Sequence, residues 1–173
     1  AAAGLDARHV SEALSAVDAE RGRGQALDVE LPDGGRFTLL DDAYNANPVS
    51  MRAAISALGA VEPGPGGRRI AIMGDMLELG ETSPRLHAEL SEPLVDASAD
   101  QVFCCGGLMR NLQDALPAAM RAGYAHTAGD LLELVKAAIR PGDVVLIKGS
   151  HGSGLHKIAS VLADGSAYSL TEA

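Results

Sequence analysis

Apolar residues in this chain follow two different spacings. Short continuous apolar runs, which are typical of buried strands, occur at "ALDVEL", "RFTLL", "RIAIMG", "QVFCCG" and "DVVLIKG". Other segments place apolar residues at every third or fourth position, which predicts helices; in "PVSMRAAISALGAV", Met51, Ile55 and Leu58 share one face. Proline suits the first turn of a helix, so this one is predicted to begin near Pro48. Strands and helices therefore alternate along most of the sequence.

The order of these elements predicts the fold. Further helices are expected at "SPRLHAELSEPLVDA", which a second proline interrupts, and at "LMRNLQDAL", "GDLLELVKAAI" and "GLHKIASVLA", with a short strand at "GYAHTA". Strands separated by helices favour βαβ units and a parallel sheet that is covered on both faces. The first two strands flank "PDGG", a tight-turn sequence that joins antiparallel strands. The expected fold class is α/β: a Rossmann-like three-layer sandwich, with a mainly parallel sheet and an antiparallel N-terminal hairpin.

Composition limits the classes of function. A chain of 173 residues is long enough for one domain with one core. Its net charge of −9 argues against nucleic acid or an anionic membrane as a partner, and no segment has the apolar length of a membrane span. The amino terminus lacks a signal-peptide pattern, which favours a cytoplasmic location. The two cysteines, Cys104 and Cys105, are adjacent, so we expect neither a disulfide framework nor a metal site.

The candidate binding groups follow the predicted strands. An open parallel sheet binds its ligands at the carboxyl ends of its strands. Here those ends carry "DDAYNANP", "GDMLELGE", "CCGG" and "KGSHGSG". The sequence has neither a phosphate loop nor a dinucleotide fingerprint, which argues against an independent nucleotide-binding enzyme. A purely structural module would not need polar clusters at several strand ends, although asparagines before a proline are also typical of an ordinary Asx turn.

Three of these stretches resemble a known family. "DDAYNANPVSM", "IMGDMLELGETS" followed by His87, and "LIKGSHG" resemble the signature stretches of the carboxy-terminal domain of the Mur ligases. The pairing of "YNANP" with "GDMLELG" is similar to the member that adds D-Ala-D-Ala; the alternative is another Mur-type amino-acid ligase. The resemblance assigns residues 26–173 to that domain, residues 21–25 to an inter-domain linker and residues 1–20 to a remnant helix of the central ATPase domain.

The resemblance implies an ATP-dependent peptide ligase of peptidoglycan synthesis. In this family, ATP and Mg²⁺ convert the carboxylate of UDP-MurNAc-tripeptide into an acyl phosphate, which the amine of D-Ala-D-Ala then attacks. The phosphate loop and the metal ligands belong to the central domain, and the UDP sugar binds to the N-terminal domain. Neither domain is expected in this sequence, so the resemblance implies a fragment that needs both domains as partners in cis and is inactive alone.

On the nucleotide side, the resemblance implies five residues. Asp42 matches the aspartate that accepts hydrogen bonds from the ribose hydroxyls of ATP, and Arg23 matches the arginine that reaches ATP from the linker. Tyr44, Asn45 and Asn47 line the same loop as Asp42. The residues themselves leave two alternatives open, a helix cap for Asp42 and a solvated linker charge for Arg23.

On the dipeptide side, the carboxylates of Asp75 and Glu78 could orient the incoming amine, with a cap or a salt bridge as the alternative. Lys148 ends an apolar strand, where an unpaired ammonium would be very costly. It is expected to be catalytic and to hold the dipeptide carboxylate or the developing oxyanion, with Ser150 adding a hydroxyl. The alternative for Lys148 is a salt bridge to Asp42 or Asp75.

Two histidines lie near these stretches. His87 follows "GDMLELGETS" and is expected on a helix face or in the core rather than as a base. His151, within "KGSHGSG", is assigned no role.

Overall fold

A single six-stranded sheet forms the centre of the protein. The computed structural model describes residue 22, residues 24–32 and residues 34–164. Its strands are β1 Gln25–Glu30, β2 Arg36–Asp42, β3 Arg69–Gly74, β4 Gln101–Cys105, β5 Arg121–Ala125 and β6 Val144–Lys148. They are ordered β1-β2-β6-β3-β4-β5 across the sheet. Only β1 pairs antiparallel with its neighbour in this described sheet, which confirms the predicted fold class.

Helices cover both faces of this sheet and complete the three layers. They are α1 Pro48–Ala60, α2 Ser83–Ala88, α3 Ser91–Asp96, α4 Arg110–Ala115, α5 Ala128–Ala138 and α6 Leu155–Ala163. On one face α5 and α6 contribute Leu131 and Ile158 to a hydrophobic core; on the other, α1 and α4 contribute Ile55 and Leu112 to a second core. No helix in the described part of the chain has both the length and the apolar character that a membrane span requires.

The central strands read as continuous apolar runs because both of their faces are buried. In β3, Ile70 and Ile72 belong to the first core, whereas Ala71 and Met73 belong to the second. All five residues of β6 are buried, including its last residue, Lys148. The sheet therefore brings a charged side chain into an otherwise apolar layer, at the edge where the parallel strands end.

Two elements differ in extent from the sequence prediction. The helix expected over residues 83–97 is two helices, since α2 ends at Ala88 and α3 begins at Ser91. Proline cannot donate a hydrogen bond to the carbonyl four residues earlier, so Pro93 accounts for a break around Glu89. The strand expected over residues 123–128 runs instead over Arg121–Ala125. Thr127 ends that strand region because its side chain accepts a hydrogen bond from the backbone N–H of Asp130 and caps α5.

The amino-terminal predictions lie largely outside the described residues. These are the remnant helix in residues 1–20 and the linker arginine, Arg23. The residues on either side of Arg23 are described. The backbone N–H of Gly24 donates to the carbonyl of Asp41, and the carbonyl of Gly22 accepts from the backbone N–H of Tyr44. Gly24 thus contacts the end of β2, and Gly22 contacts the segment that follows it.

Candidate functional site

The polar stretches meet at the carboxyl edge of the sheet. In the register of the parallel strands, Asp42 of β2 lies opposite Lys148 of β6, and Lys148 lies opposite Met73 of β3. Gly74 of β3 lies opposite Cys105 of β4. The ends of four neighbouring strands therefore face the same side, which is where an open parallel sheet binds ligands.

Lys148 is held by oxygen atoms of the loop that follows β2. Its Nζ lies 3.0 Å from Oδ2 of Asp42, and it donates to the carbonyls of Asp42 at 3.3 Å and Asn45 at 2.5 Å. An ammonium has three N–H donors, so these contacts account for all of them. The structure thus shows the salt bridge to Asp42 that was the alternative role for Lys148. The same ammonium group also ties Asn45 to the end of β2.

The asparagines of this loop are fixed by local hydrogen bonds. Oδ1 of Asn45 accepts from the backbone N–H of Ala46 at 2.8 Å. Asn47 caps α1: its Oδ1 accepts from the backbone N–H of Ser50 at 2.9 Å, and the Ser50 hydroxyl accepts from the backbone N–H of Asn47 at 3.0 Å. Both side chains use their carbonyl oxygen on the backbone, so the group that each offers to a ligand is its amide NH₂.

A first cavity, of about 230 Å³, opens beside the Lys148–Asp42 pair. The residues that line it are Gly22, Asp42, Tyr44, Asn45, Asn47, Ser50 and Lys148. The side chain of Asp42 remains 27% exposed, so part of its carboxylate is available as an acceptor in addition to the oxygen that faces Lys148. The structure brings together in this cavity the described residues that the sequence analysis assigned to the nucleotide.

A second cavity, of about 410 Å³, lies on the other side of the asparagines. The residues that line it are Asn45, Ala46, Asn47, Leu77, Glu78, Leu79, Ser150, His151 and Gly152. Glu78 adopts a φ of +64°, an uncommon left-handed conformation for a residue other than glycine. Asn45 and Asn47 line both cavities, which therefore share one wall.

Asp75 does not face either cavity with a free carboxylate. Its Oδ1 accepts from the backbone N–H of Met109 at 2.8 Å and its Oδ2 accepts from that of Leu108 at 3.3 Å, just before α4. Gly106, with a φ of +112°, makes this contact possible, since a Cβ atom there would lie 2.4 Å from the Asp75 carboxylate. The contacts of Asp75 are those of a cap, the alternative role left open by the sequence.

Ser150 and His87 both bind backbone in the segment that follows β3. The backbone N–H of Ser150 donates to the carbonyl of Asp75, and its Oγ accepts from the backbone N–H of Leu77 at 3.1 Å. His87 is fully buried; its Nε2 accepts from the backbone N–H of Met76 at 2.9 Å, and its Nδ1 donates to the carbonyl of Ser83 at 2.6 Å. A ring with one donor and one acceptor nitrogen is neutral, so His87 is a core histidine, as expected.

Close approach of glycines packs the two central strand ends together. A Cβ atom on Gly149, after β6, would lie 2.9 Å from the Cα of Gly74 and 2.7 Å from Oγ of Ser153. A Cβ atom on Gly152 would lie 2.7 Å from Cδ1 of Leu77. Gly149 and Gly152 therefore allow this loop to pack closely against the end of β3 and against Leu77.

His151 lines the second cavity, although no role was assigned to it from the sequence. Its ring stacks on that of His156, with centroids 4.2 Å apart and planes at 5°, and meets the Tyr44 ring edge-on at 5.7 Å. Burial lowers the pKa of His156, and the neighbouring His151 and Lys157 lower it further. The available signal in the sequence was His156, five positions after His151 and at the start of a helix. The turn that brings the two rings together follows no repeating pattern of apolar positions, so the sequence does not predict their contact.

The surroundings of the two cysteines make their thiols weak acids. Burial raises the pKa of Cys104 from 9.0 to about 12 and that of Cys105 to about 11, and nearby Asp75 adds to both shifts. Both thiols therefore stay protonated near neutral pH. Across the described residues, no group of three or more His, Cys, Asp or Glu side chains is arranged to hold a metal ion.

The fold and the site place the protein among open α/β sheets, here with two adjoining polar cavities at the carboxyl edge. Residues 22–151 match the family described as "Mur ligase, glutamate ligase domain", and the chain belongs to this family. The match confirms the resemblance seen in the sequence motifs. It covers all six strands, the first cavity and every residue of the second cavity except Gly152, so the family assignment applies to the part of the chain that carries the site.

Individual relatives carry a more specific name. The UDP-N-acetylmuramoyl-tripeptide–D-alanyl-D-alanine ligase of Rickettsia prowazekii is 31% identical over 90% of this chain and 33% of its own length. The ligase of the same name from Mycobacterium leprae is 36% identical over 72% of this chain and 27% of its own. The chain thus spans about a third of the length of these relatives.

A solved structure shares the fold. The MurF ligase of Thermotoga maritima, in complex with ADP, superposes on 87% of this chain and 32% of its own with a TM-score of 0.68, at 24% identity. At that identity the likeness supports the architecture of the sheet and helices.

Proposed function

We propose that this chain is the carboxy-terminal domain of an ATP-dependent ligase that adds D-Ala-D-Ala to UDP-MurNAc-tripeptide through an acyl phosphate, in peptidoglycan synthesis. The observation that carries the proposal is the shared wall, Asn45 and Asn47, between two polar cavities at the carboxyl edge. A ligase has to bring a nucleotide-activated carboxylate and an attacking amine together, and adjoining cavities suit that task. The curated relatives of this name support the choice of reaction.

The first cavity suits the nucleotide. The exposed part of the Asp42 carboxylate can accept hydrogen bonds from ribose hydroxyls, and the amide groups of Asn45 and Asn47 can donate to the same ligand. Tyr44 is 48% exposed and adds an aromatic surface beside them. The Thermotoga maritima ligase was solved with ADP, which agrees with this use of the fold. Arg23 stays a prediction, because it lies outside the described residues.

The second cavity suits the amine substrate. The exposed carboxylate of Glu78 can receive the ammonium group of the dipeptide and orient it before deprotonation. The hydroxyl of Ser150 lines the same cavity and already accepts from the Leu77 backbone, so it is left with a donor for the substrate. Asp75 acts through the backbone it caps. Direct contact of Lys148 with the dipeptide or the oxyanion stays a prediction, which its three oxygen contacts weaken.

The remaining parts of the reaction belong to the rest of a longer protein. We assign the phosphate loop, the Mg²⁺ ligands and the UDP-sugar site to N-terminal and central domains that act in cis in the cytoplasm. Mg²⁺ would neutralise charge on the transferred phosphoryl group when bound there. Accordingly, this chain alone is expected to release no phosphate from ATP above a control without protein.

The test of the proposed function uses the full-length ligase that carries this chain. It should ligate D-Ala-D-Ala to UDP-MurNAc-tripeptide in preference to single amino acids; a preference for a single amino acid would favour another Mur-type ligase. Asp42→Asn should raise KM for ATP about ten- to a hundred-fold, because a charged acceptor is worth about 1.5 to 3 kcal/mol. KM for the dipeptide should change less. Asp28→Asn, on the exposed edge strand β1, is the matched control.

A further inference from the structure

The substrate proposed for the second cavity carries two opposite charges. A free dipeptide is a zwitterion, with an ammonium group at one end and a carboxylate at the other. The carboxylate of Glu78 can pair with the ammonium group, but the described residues that line this cavity include no lysine or arginine to pair with the carboxylate. Lys148 lines the first cavity instead, and its donors are already used by Asp42 and Asn45. Among the described lining residues, His151 is the side chain that can carry a positive charge.

His151 is held in place at the mouth of this cavity. It directly follows Ser150 and begins a single 3₁₀ turn, His151–Ser153, which ends at Gly154 with a φ of +77°. Gly152 packs against Leu77 on the opposite wall. The His151 ring is supported on one face by the parallel ring of His156 and at its edge by Tyr44. The residue itself is exposed, so its ring nitrogens can reach a ligand.

The stacked pair has room for one positive charge. Two protonated rings 4.2 Å apart would repel each other, and burial together with the neighbouring charges lowers the pKa of His156. The surroundings of His156 therefore favour its neutral form.

Charged groups on the surrounding elements lie near the stacked histidines and shift the pKa of His156. Asp41, at the end of β2, raises the pKa of His156, whereas Lys157, on α6, lowers it. Tyr44 contributes a neutral phenol from the loop after β2. Glu78 lines the same cavity and adds a negative charge.

We propose that His151 is a substrate-binding residue whose exposed imidazole, stacked on the ring of His156, pairs with the carboxylate of the incoming dipeptide while Glu78 receives its ammonium group. The proposal rests on the proposed function and deepens it. It makes the free carboxylate of the acceptor substrate a specificity element. It also assigns recognition of that carboxylate to an imidazole, the side chain that serves as a pH-dependent switch in many proteins.

The experiment compares D-Ala-D-Ala with its C-terminal amide in the full-length ligase. In the wild type, the amide should have a KM about ten-fold higher at pH 6, because a charge-assisted contact is lost. This ratio should be smaller at about pH 8 than at about pH 6, because an imidazole that has lost its proton no longer forms an ion pair with a carboxylate. His151→Gln should raise KM for the dipeptide about ten-fold, leave KM for ATP unchanged and remove the discrimination against the amide. His151→Arg should restore affinity and abolish its pH dependence.

The controls separate this proposal from the proposed function. His126→Gln, an exposed histidine after β5, should behave as wild type, and melting curves should show that both glutamine variants are folded. Ligation of D-Ala-D-Ala without discrimination against the amide would overturn the role of His151 and leave the proposed function standing. A fall in kcat for His151→Gln at unchanged KM would also overturn it, in favour of a base. A wild type that does not use the dipeptide would overturn both.

Discussion

The ammonium nitrogen of Lys148 lies 3.0 Å from Oδ2 of Asp42, at the carboxyl ends of two neighbouring strands. Because the lysine is buried and also binds two carbonyls of the same loop, it fixes the position of the residues that wall both cavities. Asp42 contributes one carboxylate oxygen to this pair and keeps part of its surface exposed. One ion pair thus serves as the support of the candidate site.

Replacing Lys148 by methionine should destabilise the chain. The substitution removes the ammonium partner of the Asp42 carboxylate and the Nζ–H donor to the carbonyls of Asp42 and Asn45. Breaking a buried ion pair costs about 3 to 5 kcal/mol, but Asp42 is partly exposed, so we expect about 1 to 3 kcal/mol. The Tm of the 173-residue chain should fall by about 3 to 10 °C.

Lys136→Met is the matched control for this experiment. Lys136 pairs with Glu133 on the surface of α5, where such a pair contributes little, so its Tm should change by less than about 2 °C. Kinetics of the full-length ligase then separate the roles predicted for Lys148. A rise in KM for the dipeptide alone would indicate carboxylate binding, and a fall in kcat alone would indicate oxyanion stabilisation. Wild-type stability and kinetics would remove Lys148 from the site.

Gly106→Ala should disturb the start of α4. Its φ of +112° is strained for any residue with a Cβ atom, and that atom would lie 2.4 Å from the Asp75 carboxylate, which caps Leu108 and Met109. Loss of the cap and the strain together should lower the free energy of unfolding by about 2 to 4 kcal/mol, measured by urea denaturation. Gly107→Ala is the neighbouring control, since nothing lies within 4 Å of its added Cβ. Equal effects of the two substitutions would contradict this account.

His87→Leu should lower the stability of the chain. The leucine leaves the backbone N–H of Met76 without its acceptor in the core, which costs about 1 to 3 kcal/mol. Thermal melting of the chain measures this loss, and His126→Leu on the surface provides the comparison. If His87 were a base, the full-length variant would lose kcat at unchanged stability.

The buried thiols predict a loss of stability in alkaline solution. The unfolded chain releases thiol protons near pH 9.0, whereas the native chain retains them until about pH 11 for Cys105 and 12 for Cys104. Above pH 9.0 the unfolded state therefore binds fewer protons, so the free energy of unfolding falls as the pH rises. Each thiol contributes at most about 1.4 kcal/mol per pH unit over this window.

Urea denaturation at pH 8, 9 and 10 checks this slope. The double variant Cys104→Ala, Cys105→Ala should be less stable at pH 8 but should show a flatter pH dependence. An identical slope in the double variant would assign the alkaline loss to other groups. Slow alkylation of the native thiols at pH 8 should accompany the result, because the thiolate is the reactive form.

The sequence predicted the edge of the sheet better than it predicted the contacts there. Apolar runs and helical spacing follow from burial, which is why the strands and most helices were confirmed. The partner of Lys148 depends on strand order, which local pattern does not encode. Because β6 lies between β2 and β3, the sequence alone could not choose between Asp42 and Asp75 as the partner of Lys148. The Asp75 carboxylate instead accepts hydrogen bonds from the backbone N–H groups of Leu108 and Met109.

His151 shows a second limit of the sequence. Its ring meets His156 because a single 3₁₀ turn and the left-handed Gly154 reverse the chain between them. Such a turn leaves no repeating pattern of apolar positions. The glycines of this loop were visible in the sequence, but their close contacts with β3 and Leu77 come from packing between distant segments.

The central position of β6 has a consequence for the assembly of the protein. Among the described strands β6 is the last to be synthesised, yet it lies between β2 and β3 and is the strand that joins the hairpin β1–β2 to the others. Until β6 and its last residue, Lys148, have been synthesised, the Asp42 carboxylate has no ammonium partner and β2 of the hairpin has no parallel strand to pair with. Contacts over such long sequence separations form slowly. The nascent chain therefore exposes an unpaired strand edge until β6 has been synthesised, and this edge is where chaperones or misassembly would act first.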